Sequence, residues 1–242
     1  MFCLVFDIIF AIDAGQYVRR RLNQMNMKQF HCLKILFIFI FLLRLNPAHG
    51  QLTMNYNLSE WLDEGKIENK PDQLRQLPDD IQKQAISAHG VSWLKGVEFK
   101  EGTIDIDLRG KDIFLQSFLG ICFHGVDTTT YEVIYFRPFN FRHSDTLRRK
   151  WSVQYMSLPD YDYDKLRKAH PLAYENSVHP VPEAKDWFHA TIVIKGDLIK
   201  VFVNHSAEPS LQVKRLNDVN TGKIGLWADG VFGDFANLAI TQ

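Results

Sequence analysis

Ser117–Phe141 reads SFLGICFHG, then VDTTT, then YEVIYFRPFNF, and this stretch decides the fold. Two runs rich in β-branched and aromatic residues flank a short link at Val126–Thr130, which predicts a β-hairpin with a medium loop. Polar residues sit inside both runs: His124, Glu132, Arg137 and Asn140. Burying such groups is unfavourable unless each finds a partner or lines a wet cleft. The candidate site therefore falls on the face of a β-sheet.

The same period of two extends outward from the hairpin. Residues 102–108, GTIDIDL, alternate cleanly, with Ile104, Ile106 and Leu108 inward and Asp105 and Asp107 outward. Further strands are expected near 151–157, 188–195, 198–204, 223–228 and 235–241. Lys195-Gly196-Asp197 reads as a tight turn. The excursion 158–182 carries four prolines and three tyrosines, and an ordered loop of that length is often functional. Short helical pieces are expected at 59–66, with Ser59 as candidate cap, within 71–84 and at 164–169. The whole reads as all-β: a two-sheet antiparallel jelly-roll sandwich over 91–242, preceded by a short irregular or helical lead at 51–90.

Strand alternation then sorts the polar residues by face. Leu119, Ile121 and Phe123 are read as core, with Gly120, Cys122 and His124 on the opposite, ligand-facing side. Tyr131, Val133 and Tyr135 are read as core, and Glu132 points the other way with Ile134 and Phe136. Pro138 marks a bulge that re-aims Arg137. Val153 and Tyr155 go inward and Gln154 outward; Ile224 and Leu226 inward, Trp227 outward; Leu238 and Ile240 inward, Asn237 outward. One concave face is thus expected to collect His124, Glu132, Gln154, Trp227 and Asn237, with Arg137 and Asn140 at its rim. Amides, a carboxylate, an imidazole and an indole suit a sugar, whose hydroxyls take hydrogen bonds and whose apolar face stacks on a ring.

The first fifty residues read as removable. Residues 27–50, MKQFHCLKILFIFIFLLRLNPAHG, combine a basic start, an apolar core too short to span a bilayer comfortably, and small residues before Gln51. That is a secretory signal, which makes Met27 the expected start and 1–26 an upstream extension. The expected location is secreted or periplasmic, with no membrane insertion once the signal is removed. Of the 242 residues, 192 would remain, with 22 Lys and Arg against 26 Asp and Glu and a net charge of −4. Nothing basic enough for nucleic acid is present. Only Cys122 lies beyond the leader, so the folded chain has no internal disulfide to draw on.

The segments FKEGTIDIDLRG, FLGICFHG, YEVIYFRPFNF, WSVQYMSLP and GKIGLWADGVFGDFANLAI carry a family resemblance. Together with the strand pair around Lys195-Gly196-Asp197, they resemble the concanavalin A-like lectin/glucanase superfamily. Within it they are most similar to the exported bacterial 3-keto-disaccharide hydrolase domain family. The resemblance covers roughly 91–242. It implies a jelly roll with a carbohydrate site on the concave sheet and cleavage of glycosides whose sugar carries a 3-keto group. His124 stands where that family more often carries arginine, and Phe118-Leu119 replaces its usual asparagine-serine.

On this reading Glu132 is the acid/base, and His124 and Arg137 polarise or position the substrate. Gln154, Trp227, Asn237, Asn140 and Tyr155 bind it. The alternative keeps Glu132 as a structural carboxylate bonded to Gln154 or Tyr155, and the protein as a non-catalytic carbohydrate-binding (lectin-like) or structural/adhesion module. The glucanase arrangement Glu-x-Asp-x-x-Glu does not occur, although glycoside hydrolysis ordinarily uses two carboxylates. Asp229 and Asp234 offer oxygens to calcium without the spacing of a calcium loop. No histidine pair after residue 50 has a zinc spacing. No cofactor is expected, and the expected ligand is a carbohydrate or glycoside.

Overall fold

A computed structural model describes residues 51–78 and 83–242. The expected leader at 27–50 and the extension before it lie outside the described residues.

The described residues open with β1 (Thr53–Tyr56), α1 (Leu58–Asp63), β2 (Ile67–Glu68) and β3 (Leu74–Gln76). It then forms β4 (Ile86–Phe99), β5 (Gly102–Arg109), β6 (Ser117–Gly125) and β7 (Tyr131–Phe136). The short helices α2 (Pro138–Phe141) and α3 (Thr146–Arg149) precede β8 (Val153–Leu158), α4 (Tyr163–Ala169) and β9 (Glu175–Asn176). Last come β10 (Phe188–Lys195), β11 (Leu198–Val203), β12 (Leu211–Lys214) and β13 (Gly222–Thr241). Every pairing is antiparallel. The fold is a jelly-roll sandwich, as the alternating strands imply.

The two strands expected at 223–228 and 235–241 are one, the 20-residue β13, which runs through both layers. Its first half lies between β4 and β6 in a front layer continued by β7, β8 and β9. Its second half lies beside β5 in a back layer continued by β10, β11 and β12. The change of layer falls at the register shift between Ala228 and Gly233. Gly230 sits there at φ +80, and a Cβ on it would lie 2.2 Å from the Gln116 carbonyl oxygen. Only glycine fits such a corner.

The lead segment is part of the sandwich: β1 pairs with β13, and β2 and β3 pair with β4. Asn57, not Ser59, caps α1, its side chain accepting from the Glu60 amide. The hairpin loop is held by Asp127, whose Oδ1 accepts from the amides of Thr129 at 2.7 Å and Thr130 at 2.8 Å.

The main core lies between the layers. It includes Leu119, Ile121, Phe123, Ile224 and Leu226 from the front and Ile104, Ile106, Leu108, Ile192 and Ile240 from the back. A second apolar cluster, with Trp93, Cys122, Tyr131, Val133, Tyr135, Met156 and Trp227, covers the other face of the front layer under Leu166 of α4.

The outward residues of β5 form an ion network on the back layer. His189 donates from Nδ1 to Asp107 at 2.9 Å and from Nε2 to Asp105 at 3.2 Å. Thr191 also donates to Asp105, Lys83 and Asn237 donate to Asp107, and the His205 ring stacks on His189. Bonds to Asp105 and then Asp107 push the imidazole up to about 9. Burial would raise the Asp107 carboxyl, yet donation by His189, Asn237 and Lys83 holds it down at about 2. The charged pairing therefore stabilises fully below the ordinary histidine range near ~6.5 and is lost as pH rises towards 9. The acid limit comes as pH falls through the Asp107 range. Because the network is only partly buried, His189→Gln is expected to cost about 1 kcal/mol at pH 6 and nothing at pH 9.5. Thermal unfolding at the two pH values checks this; a gap that stays the same at both would remove His189 ionisation as its source.

Candidate functional site

Antiparallel partners share a face of their sheet, so register builds the site. One row crosses the outer face of the front layer: Trp227 opposite Gly120, Gly120 opposite Tyr135, Tyr135 opposite Gln154, Gln154 opposite Glu175. Gly120 carries no side chain, so the rings of Trp227 and Tyr135 meet across it with centroids 5.1 Å apart. A Cβ there would come within 2.0 Å of the Ile134 carbonyl oxygen.

Arg137 leaves the end of β7 just before Pro138 begins α2, and its side chain lies back along this row. Its guanidinium donates to the Tyr135 hydroxyl and to Gln154 Oε1 from Nη2, and to the Trp151 carbonyl at 2.9 Å from Nη1. The Tyr135 hydroxyl also donates to Gln154 Oε1 at 2.8 Å. Glu175 sits 3.8 Å from Arg137 but is gripped by Arg167 of α4, at 3.0 and 2.6 Å through its two oxygens. Arg167 stacks over the Trp151 ring at 4.1 Å. Burial lowers the Arg137 guanidinium and pushes the Tyr135 phenol up to about 12. For Arg167, burial is outweighed by Glu175, which raises it.

Of these residues Tyr135, Arg137, Arg167 and Trp227, with Phe118 and Met156, form the floor of a pocket of about 400 Å³, and Gln154 and Glu175 lie buried behind them. Leu115, 60 % exposed, Tyr163, 52 % exposed, and Asp229 complete its lining at the mouth. A larger cleft of about 670 Å³ opens by Arg109 and Asp234, where Asp234 accepts from Arg109 at 3.0 Å and Ser87 at 2.5 Å.

The structure divides the expected concave set. Gln154 and Trp227 share the front face, with Arg137 over them. Glu132 lies on the opposite, interior side because it pairs with Phe123, a core residue. Ile134 and Phe136 accompany it in the core, and Tyr131, Val133 and Tyr135 face outward. That inverts the parity expected for β7.

His124 joins Glu132 through a bulge. Phe123 and His124 together oppose the single residue Ile224, between the pairs Cys122–Gly225 and Gly125–Lys223. His124 takes φ 51 there and turns to the Phe123 side, stacking on Phe99 at 5.9 Å. Its Nδ1 donates to Glu132 at 2.6 Å and its Nε2 to the Lys100 carbonyl at 2.7 Å. Tyr155 donates to Glu132 at 2.5 Å, and Arg215 grips both carboxylate oxygens, Oε1 at 3.1 Å and Oε2 at 2.6 Å. Burial alone would raise the Glu132 carboxyl; His124, Arg215 and Tyr155 together hold it below its ordinary value. Glu132 and His124 are closed off from solvent at 0 % and 1 % exposure.

Asn237 lies on the back layer and donates to Asp107 at 2.8 Å. Asn140 is buried in α2 beside the site, donating to the Trp151 carbonyl at 3.2 Å. Asp229 and Asp234 open on different clefts. Among the described residues no group of three or more His, Cys, Asp or Glu side chains is placed to hold a metal ion. Tyr135, Arg167 and Glu175 are site residues that strand parity and motif reading passed over. The long 158–182 excursion, which brings Arg167 and Glu175 to the row, was the signal for two of them.

No family model matches the chain, and no curated protein matches it in sequence. Solved structures do. A protein of unknown function with a galectin-like fold from Bacillus subtilis aligns over 79 % of this chain and 96 % of its own, at 13 % identity and TM-score 0.52. A carbohydrate-binding module, CBM66, from Bacillus subtilis aligns over 64 % and 85 %, at 12 % identity and TM-score 0.44. A glycosidic hydrolase aligns over 78 % and 95 %, at 12 % identity and TM-score 0.46. The first of these shows that the chain shares a galectin-like jelly-roll fold.

Proposed function

We propose that this protein binds carbohydrate in the front-layer pocket. The observation that carries the reading is the row Trp227–Tyr135–Gln154–Arg137. Trp227, Tyr135 and Arg137 of this row line a pocket of about 400 Å³, with Gln154 behind them bonded to Tyr135 and Arg137. Ring faces take the apolar side of a sugar, while the mouth offers Asp229 and the Tyr163 hydroxyl to its hydroxyls. The names of structural neighbours, a carbohydrate-binding module and a glycosidic hydrolase, agree with this reading but do not carry it. Export through a 27–50 leader belongs to the same proposal and would bring the pocket to glycans outside the cytoplasm.

Titration with an oligosaccharide panel, read by the fluorescence of the buried Trp227 and by calorimetry, tests the proposal. Saturable binding that Tyr163→Ala weakens about threefold to tenfold is expected, from loss of one stacking or hydroxyl contact worth roughly 1 kcal/mol. A panel with no binder ends the reading.

Glycoside cleavage, the activity implied by resemblance to 3-keto-disaccharide hydrolases, is the second reading. Asp229 favours it, as a carboxylate lining the pocket at its mouth, whereas Glu175 is buried with both oxygens held by Arg167. Glu132 is not its acid/base on this geometry. Released sugar from glycosides and 3-keto-glycosides, abolished by Asp229→Asn with binding retained, is the expected result if cleavage occurs.

A further inference from the structure

We infer that the pocket takes a sugar carrying an anionic substituent, a carboxylate or a sulfate ester, seated against Arg137 and Arg167. The inference rests on the carbohydrate reading and narrows its ligand class. Two guanidinium groups stand at the pocket floor and share one carboxylate. Both oxygens of Glu175 are engaged by Arg167 in a fork geometry, which leaves Arg137 at 3.8 Å from its nearest acid.

Arg137 is 5 % exposed, and its hydrogen-bonding partners are neutral: a carbonyl, a phenol and a carboxamide. With Glu175 shared between them at 3.8 Å and 2.6 Å, the two guanidinium groups carry one positive charge more than their buried acid balances, which favours a further counter-charge. A donor is also left over. Gln154 Nε2, on the carboxamide that accepts from Arg137 just behind the pocket lining, is buried without a partner. The acid of the lining, Asp229, is at the exposed mouth, where it accepts from the Gly230 amide at 2.9 Å. The floor is therefore cationic and the mouth anionic. An acidic sugar would enter with its oxyanion down and its hydroxyls towards Asp229, with a ring face on Trp227.

The test compares three probes on the wild-type protein: an oligogalacturonate, its carboxyl-reduced neutral counterpart and a sulfated galactan oligosaccharide. At least one acidic probe is expected to bind ten times more tightly than the neutral one, and the gap to shrink in 0.5 M salt. Tighter binding of the uronate identifies the carboxylate as the group recognised; tighter binding of the sulfated probe identifies the ester. Arg167→Gln, at a side chain only partly buried, is expected to bring the ratio of acidic to neutral affinity from about tenfold to near one, and Arg167→Lys to restore part of it; a ratio that Arg167→Gln leaves at tenfold overturns the inference. Equal or tighter binding of the neutral probe overturns this inference and leaves the carbohydrate reading standing. No binding of any of the three, or of the wider panel, overturns both.

Discussion

Glu132→Gln is expected to lower the unfolding temperature sharply while leaving the pocket intact. The carboxylate accepts from His124, Tyr155 and Arg215 inside the sandwich. Arg215 in turn donates to the Val219 carbonyl and Asn220, which fixes the segment after β12. An amide in place of the carboxylate leaves the guanidinium buried without its counter-charge. Breaking a buried pair from one side costs about 3–5 kcal/mol. At roughly 2–4 °C per kcal/mol for a domain of this size, Tm should fall by roughly 6–20 °C. Folded variant, measured well below its Tm, should bind the same sugars as wild type. The opposite pattern, unchanged Tm with lost turnover, would return Glu132 to catalysis.

Gly120→Val should destabilise the protein and disable the pocket together. Its Cβ would meet the Ile134 carbonyl oxygen at 2.0 Å and the Tyr135 Cα at 2.7 Å. Both obstacles are backbone, so β6 and β7 must separate. Overpacking of this kind typically costs about 1–3 kcal/mol, and more where the obstacle cannot rotate away. Displacing β7 also parts Tyr135 from Trp227 and from Gln154. Sugar affinity is expected to fall at least tenfold, with a changed near-ultraviolet dichroism of the aromatic pair. Wild-type affinity in a stably folded Gly120→Val protein would refute the row as the binding element.

An acidic-sugar preference and cleavage have separate readouts, so one can fail without the other. The pocket's geometry needs only the register of five strands and the placing of α4.

Much of the fold was legible in the residues. Alternation marked β5, β6, β10 and β11 closely, and Lys195-Gly196-Asp197 marked their tightest turn. Gln154 and Trp227 were rightly sorted to an outer face, because their neighbours Val153, Tyr155 and Leu226 are unambiguously core. In β7 alternation had no such contrast. Tyr131, Val133 and Tyr135 are as apolar as Ile134 and Phe136, so the strand's burial on both sides hid its parity.

Composition and period by themselves determined an all-β sandwich, the hairpin at its centre and the ligand-suited character of its polar residues. Only tertiary structure decided which polar residues meet. A one-residue bulge at His124 and the pairing of Glu132 with Phe123 sent both indoors. The excursion through α4 and β9 carried Arg167 and Glu175 to the pocket. The reason is physical: side-chain alternation is a local property of one strand, whereas register and bulges are settled between strands, by packing and hydrogen bonds that span distant parts of the chain.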